Sequence, residues 1–171
     1  MLVIISKLKV FTMISPELHF INFVSWLSRQ KIIYFVAWGF EKLPEKVHGG
    51  DVDMFVHPSY YFEVKEKLLE NDYVAHRCPK YSASHKHEQF SHKELYKLHI
   101  FDSFCFSSAG KYFLLNVDTK YLTCNLRYKK GTDIHIPSPV VEALFTALRI
   151  YGGRLDCVSR LRKFVDEIKI E

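Results

Sequence analysis

Residues 48–56 read HGGDVDMFV, in which two glycines precede two aspartates at the start of an apolar run. If the run around Val52 is a β-strand, its period of two puts the apolar side chains on one face and both Asp51 and Asp53 on the other. Two carboxylates that point the same way repel each other, and a cation between them relieves the repulsion. The pattern therefore predicts one buried face and one face with a candidate magnesium site. A solvated, acidic strand start is the alternative interpretation of so short a motif.

The length and composition predict a single globular domain. The 171 residues fit one unit, 1–171, with an N-terminal segment and helix over about 1–30 and a helical C-terminal part over about 138–171. An apolar fraction of 48% and a charged fraction of 25% are typical of a soluble protein. The formal net charge of +5 favours anionic ligands, and a nucleotide would be sufficient.

Cysteine usage and the N-terminal segment bear on the compartment. The four cysteines, Cys78, Cys105, Cys124 and Cys157, form no C-x-x-C pair and suggest no disulfide framework. The first fourteen residues are apolar, but two lysines interrupt them and no small-residue cleavage site follows. Because no stretch reaches eighteen apolar residues, a membrane span is not expected. We therefore expect reduced cysteines, no membrane partner and a cytoplasmic location.

Local patterns predict helices packed on a small mixed sheet. Ser15, Pro16 and Glu17 form a helix start, and Ser138-Pro139 starts a helix that is apolar on nearly all sides and is therefore expected to be buried. Residues 78–93 show no clear period and are predicted to be a loop. The other predicted elements are strands at 32–38, 51–56, 73–77, 95–106 and 132–136, a strand or loop at 112–117, and helices from Pro58, from Asp118 and over 155–165. This arrangement belongs to the α+β class.

The segment around the aspartates resembles a known signature. Trp38-Gly39-Phe40, ten further residues and then Asp51-Val52-Asp53-Met54 are similar to the motif of the nucleotidyltransferase (polymerase-β-like) superfamily. The string GFEKLPEKVHGGDVDMFV is most similar to a bacterial branch with sequences of the type RGYE…DIDLLV. The resemblance continues through LHIFDSF (98–104) and IHIPSPVVEALFTALR (134–149). It therefore covers most of the chain from about residue 32 onward.

This resemblance implies a fold and an activity. The fold is the minimal nucleotidyltransferase fold, and the activity is Mg²⁺-dependent transfer of a nucleotidyl group from an NTP, such as ATP, to a hydroxyl or phosphate acceptor on a sugar or other small molecule. The implied nucleotide-binding residues are Gly39, Phe40, Gly49 and Gly50. Phe40 stands where the family usually has glycine or serine, so its benzyl group is expected to occlude the phosphate-binding turn.

A two-metal centre for this reaction needs a third carboxylate, because two metals about 3.5 to 4 Å apart are held by shared ligands. The expected ligand set is Asp51, Asp53 and Asp102, and Asp102 would also help to deprotonate the acceptor. Asp102 is predicted to lie within the strand at 95–106, on a face with Leu98, Ile100 and Phe104. An aspartate that simply ends a strand is the alternative. Asp118 is the rival, although it is better explained as a helix N-cap.

Two other functions remain open. A non-catalytic member of the same fold would bind a nucleotide or sugar nucleotide without turnover, and Phe40 favours that hypothesis. A nucleic-acid-binding module is the second, because Arg127, Lys129 and Lys130 lie among aromatic residues. A solvated turn explains these basic residues better, so nucleic acid is not the favoured partner.

Overall fold

The computed structural model describes residues 15–47, 50–77, 87–92, 96–108, 111–115, 118–124, 126–151, 158, 161 and 162. Most of the helix predicted over 155–165 lies outside these residues. Within them the elements are α1 (Pro16–Arg29), β1 (Tyr34–Trp38), β2 (Asp51–Val56), α2 (Tyr61–Glu70), β3 (Val74–Arg77), β4 (His87–Ser91), β5 (Lys97–Phe101), β6 (Phe104–Ser108), β7 (Lys111–Leu115), α3 (Thr119–Thr123), β8 (Arg127–Tyr128), β9 (His135–Ile136) and α4 (Pro139–Tyr151). Short 3₁₀ turns occupy Phe40–Lys42 and Pro58–Tyr60.

The central sheet has five strands in the order β1-β2-β5-β4-β3. Strand β2 pairs with β5 in parallel, whereas the other three pairs are antiparallel. The hairpins β6–β7 and β8–β9 form two small additional sheets. A mixed sheet flanked by helices confirms the predicted α+β class.

Helix α1 begins as the sequence predicts. The Ser15 hydroxyl accepts a hydrogen bond from the backbone N–H of Leu18 at 3.2 Å, and Pro16 takes the first helical position, where its missing N–H costs nothing. Residues at helical spacing then form a buried stripe that packs on the sheet: Phe20, Phe23, Val24 and Leu27. The helix thus covers one face of the sheet.

The two faces of the sheet have separate cores. The first core lies under α1 and α2 and takes Val36 from β1, Leu98 from β5 and the apolar alternation of β2, namely Val52, Met54 and Val56. The second core lies on the opposite face under α4, where Phe55 and Phe101 pack against Phe104, and Phe104 packs against Phe145. The predicted alternation of β2 is therefore confirmed, because its aspartates lie on the side of the second core.

Three predictions about elements are wrong. The run at 95–106 is not one strand, because a bend at residues 102 and 103 separates β5 from β6. The loop predicted over 78–93 contains β4. Its sequence HEQFS is polar and lacks the apolar alternation that predicts a strand. Helix α4 is not buried on all sides, since Val140 is 50% exposed while Glu142 and Thr146 are buried. Among the described residues, no helix is long and apolar enough to cross a membrane.

Candidate active site

Asp51 and Asp53 project from the start of β2. Asp51 is exposed, and 35% of the Asp53 side chain is exposed. The preceding Gly50 carbonyl accepts a hydrogen bond from the Lys97 backbone N–H at 3.1 Å, which fixes the start of β5 beside the aspartates. Both carboxylates are therefore at an accessible edge of the second core, on the face that the sequence predicts.

The parallel partner β5 supplies the neighbours of these carboxylates. The register places Lys97 beside Asp51 and His99 beside Asp53. His99 Nδ1 lies 3.8 Å from Asp53 Oδ1. Sequence reasoning missed His99, although it alternates with Leu98 and Ile100 in a strand; only the register of β2 against β5 shows that it faces Asp53.

An irregularity in β1 brings an aromatic wall to the site. The register between β1 and β2 shifts between Val36 and Trp38, so that Trp38 pairs with Asp53. The Trp38 ring packs beside Phe104 and Phe145, and the Arg149 guanidinium of α4 lies 5.2 Å from its centroid. A small cavity of about 120 Å³ lies beside these aromatic rings and Asp53. Its lining residues are Trp38, Asp53, His87, His99, Phe101, Ser103 and Phe104.

The electrostatic environment of Asp53 is mixed. Burial raises the pKa of the Asp53 carboxyl above its ordinary value, and the negative charge of Asp51 adds to the increase. His99 and Arg149 oppose it, because nearby positive charge favours the carboxylate. The site therefore combines two carboxylates with basic side chains from β5 and α4.

The glycine turn differs from the expectation. Gly39 has φ +71°, the left-handed conformation that suits glycine, and it turns the chain into the 3₁₀ segment. Phe40 is only 5% exposed and belongs to the first core, so the expected occlusion of a phosphate site by its side chain does not fit the structure. Gly50 adjoins Asp51, whereas Gly49 lies outside the described residues.

Asp102 does not lie within a strand. It follows the last residue of β5 in the bend, where it accepts a hydrogen bond from the Ser103 hydroxyl at 3.1 Å. The expected shared face is also wrong, because Leu98 belongs to the first core and Phe104 to the second. The role of Asp102 as a third ligand stays a prediction without the strand geometry that motivated it.

The rival residues have structural roles. Asp118 caps α3 by accepting a hydrogen bond from the Lys120 backbone N–H at 2.8 Å, as predicted. Arg127 donates to the Pro137 carbonyl at 3.0 Å and pairs with Glu142 at 3.1 Å. Lys129 donates to the Leu43 carbonyl. Most of the basic cluster therefore stabilises the fold, which weakens the nucleic-acid hypothesis.

The donor set fits a hard divalent cation in part. Carboxylate oxygens are the ligands that Mg²⁺ prefers, and Mg²⁺ commonly uses one or two of them with water and substrate phosphates. Among the described residues, no group of three or more His, Cys, Asp and Glu side chains is arranged to hold a metal. Asp51 and Asp53 would thus hold the ion together with a nucleotide.

Comparison with solved structures identifies the class of fold as that of the nucleotidyltransferases. One match is the "putative nucleotidyltransferase (TM1012) from Thermotoga maritima", with a TM-score of 0.52 and 20% identity over 91% of this chain and 96% of that chain. Another is the lincomycin-bound "lincosamide antibiotic adenylyltransferase LnuA", with a TM-score of 0.45 and 18% identity over 77% and 85%. No family model and no curated protein matches the chain. The first likeness confirms the fold.

Proposed function

We propose that the protein is a nucleotidyltransferase that moves a nucleotidyl group from an NTP to a hydroxyl or phosphate acceptor on a small molecule. The observation that supports this most directly is the pair Asp51 and Asp53, which leave β2 on one accessible face of a nucleotidyltransferase-type sheet. Asp51 is exposed and Asp53 is partly exposed, so both carboxylates can reach a ligand that enters from solvent.

The reaction is an in-line displacement. The acceptor oxygen bonds to the α-phosphorus of the NTP, the bond to the bridging oxygen of the β-phosphate breaks, and pyrophosphate leaves with the electron pair. Bound Mg²⁺ would neutralise charge on the phosphate oxygens. Asp51 and Asp53 would hold that ion through their carboxylates, and Arg149, which lies over the Trp38 ring, adds a cation near Asp53. The acceptor proton passes to a base, for which Asp102 in the bend after β5 is the candidate.

Nucleotide binding is measured first, and catalytic turnover is measured second. Calorimetric titration with Mg²⁺ and a non-hydrolysable NTP should show binding by the wild type that Asp51→Asn and Asp53→Asn each abolish. Asp72→Asn, in the turn after α2, is the matched control and should bind as the wild type does. Equal binding by all four proteins would contradict the proposal.

Turnover distinguishes the enzyme from a binding module. Pyrophosphate release should depend on both Mg²⁺ and an added sugar or small-molecule acceptor, and the two site variants should lose it. Magnesium-dependent binding without pyrophosphate release across a broad acceptor panel would instead identify a non-catalytic nucleotide-binding member of the fold.

A further inference from the structure

The strand beside the aspartates carries no acidic residue. The sequence of β5 is KLHIF, and its register with β2 pairs Lys97 with Asp51 and His99 with Asp53. Side chains of paired residues in a parallel sheet point to the same face, and the strands lie about 4.8 Å apart. The two positions next to the carboxylates are therefore occupied by an ammonium group and an imidazole.

Charge balance at these positions disfavours two metal ions. Two divalent ions bring four positive charges, and the two aspartates of β2 supply two negative ones, so a second ion would depend on the nucleotide phosphates alone for its neutralisation. Lys97 adds a positive charge beside Asp51, at the position where a shared carboxylate would otherwise neutralise the second ion. Because like charges repel, Lys97 opposes a second metal ion beside Asp51, although both side chains are exposed and water screens part of the repulsion.

The geometry of Asp53 and His99 suits one shared ion. Their closest atoms are 3.8 Å apart, which is too far for a hydrogen bond. Carboxylate oxygen and imidazole nitrogen ligands lie about 2.1 Å from a bound transition ion, so two such ligands can be up to about 4.2 Å apart. The observed separation is within that limit.

We propose that the site binds a single divalent ion between Asp53 and His99, and that Lys97 provides the second positive charge beside Asp51. This inference rests on the proposed nucleotidyltransferase function. Water and nucleotide phosphates complete the coordination. Because an imidazole ligand favours first-row transition ions more than Mg²⁺, the site should prefer Mn²⁺ to Mg²⁺.

The number of bound ions tests the proposal without any measurement of activity. Electron paramagnetic resonance titration of the wild type with Mn²⁺ and a non-hydrolysable NTP should give one ion per chain in excess of the nucleotide-only control. His99→Ala should weaken Mn²⁺ binding at least tenfold, and His99→Gln serves as a second variant if alanine disturbs folding. His76→Ala, a histidine on β3 of the same sheet, is the matched control.

Replacing Lys97 tests the same proposal through a gain of metal binding. Lys97→Asp places a third carboxylate beside Asp51 and should admit a second Mn²⁺ ion, whereas Lys130→Asp in the exposed turn should not. Two ions in the wild type would overturn the inference. Unchanged Mn²⁺ affinity in both His99 variants would also overturn it while leaving the proposed function intact, provided that Asp53→Asn still abolishes binding. If Asp51→Asn and Asp53→Asn bind normally too, the proposed function itself fails.

Discussion

Asp53 is held where its charged form is destabilised. Burial raises the pKa of its carboxyl, and at neutral pH the folded chain must therefore carry an ionised group in an environment that favours the neutral one. A nearby Asp51 adds to this destabilisation, and a bound cation would remove it. A residue that weakens the fold without ligand is more easily explained by binding than by structure.

Asp53→Asn should therefore stabilise the metal-free protein at pH 7. Since the side chain is one-third exposed and solvent screens it, the gain should be a few tenths of a kcal/mol, or about 1 °C in Tm. For an acid with a raised folded pKa, the destabilisation is complete above that pKa and disappears as pH falls towards the unfolded value. Thermal unfolding in a chelator at pH 7 and near pH 4 should show the difference shrinking, and a less stable variant at pH 7 would contradict this account.

Phe40 offers a test of the glycine turn. Its side chain is buried in the first core, so Phe40→Ala should lower the free energy of unfolding by about 3 kcal/mol. We expect no gain in NTP affinity, because the ring is buried in the first core and is not exposed at the glycine turn. Denaturant unfolding and calorimetry measure the two effects. Tighter nucleotide binding with unchanged stability would restore the occlusion hypothesis.

At the scale of elements, α4 connects the second core to the site. Phe145 packs in that core, and Arg149, one turn further along, lies over Trp38 near Asp53. Arginine binds phosphate groups in a bidentate manner, and stacking on an indole fixes its orientation. Arg149→Ala should reduce NTP affinity about tenfold, equivalent to about 1.4 kcal/mol. Arg29→Ala, in the last turn of α1, is the control, and an equal loss in both variants would exclude a local role for Arg149.

Helix α3 depends on its cap. Asp118 accepts from the Lys120 backbone N–H, so Asp118→Ala should cost about 1 kcal/mol of stability, while Asp118→Ser should retain most of it. Neither variant should change NTP binding. Chemical unfolding followed by calorimetric titration tests both statements, and loss of nucleotide binding at unchanged stability would return Asp118 to the candidate ligands.

For the molecule as a whole, the elements that the sequence predicts well have local signals. The cap of α1 and the alternation of β2 each depend on residues that are close together in the sequence, and both predictions are confirmed. Strand β4 lacks such a signal, since HEQFS is polar and only its pairing with β3 and β5 makes it a strand. The end of β5 is also hard to predict from the sequence, because Asp102 and Ser103 interrupt an apolar run that contains no glycine or proline.

The candidate site was predictable only in part for the same reason. The spacing of Asp51 and Asp53 in the sequence is enough to identify them as candidates. His99 and Arg149 are brought to the site by strand register and helix packing. Those are long-range relations that one sequence does not contain. The assignment of Asp102 as a ligand depends on a continuous strand over 95–106, and the structure has a bend at Asp102 and Ser103 instead, so the error in the element produces the weak assignment of the residue.

A polar cluster joins α1 to the far end of the sheet. His19 Nδ1 lies 3.1 Å from the Tyr96 hydroxyl and 3.2 Å from the Tyr73 hydroxyl, and Tyr73 donates to Tyr96 at 2.7 Å. The His92 ring stacks on His19 with centroids 4.9 Å apart. Burial, reinforced by the charge of His92, lowers the pKa of His19, and burial raises the pKa of Tyr73 to about 12. The cluster therefore favours the uncharged forms of the His19 and Tyr73 side chains.

The protein should lose stability as pH falls from 7 to 5. The folded state resists protonation of His19, while the unfolded chain takes up the proton near pH 6.5, so stability is full above that value and declines until pH passes the lowered folded pKa. His135, whose pKa burial also lowers, acts in the same direction. Thermal unfolding across this range should show a smaller decline for His19→Gln than for the wild type, whereas His76→Gln on exposed β3 should follow the wild type. Glutamine can keep hydrogen bonds to the tyrosines but cannot titrate, so an unchanged pH dependence in His19→Gln would show that other groups control acid stability.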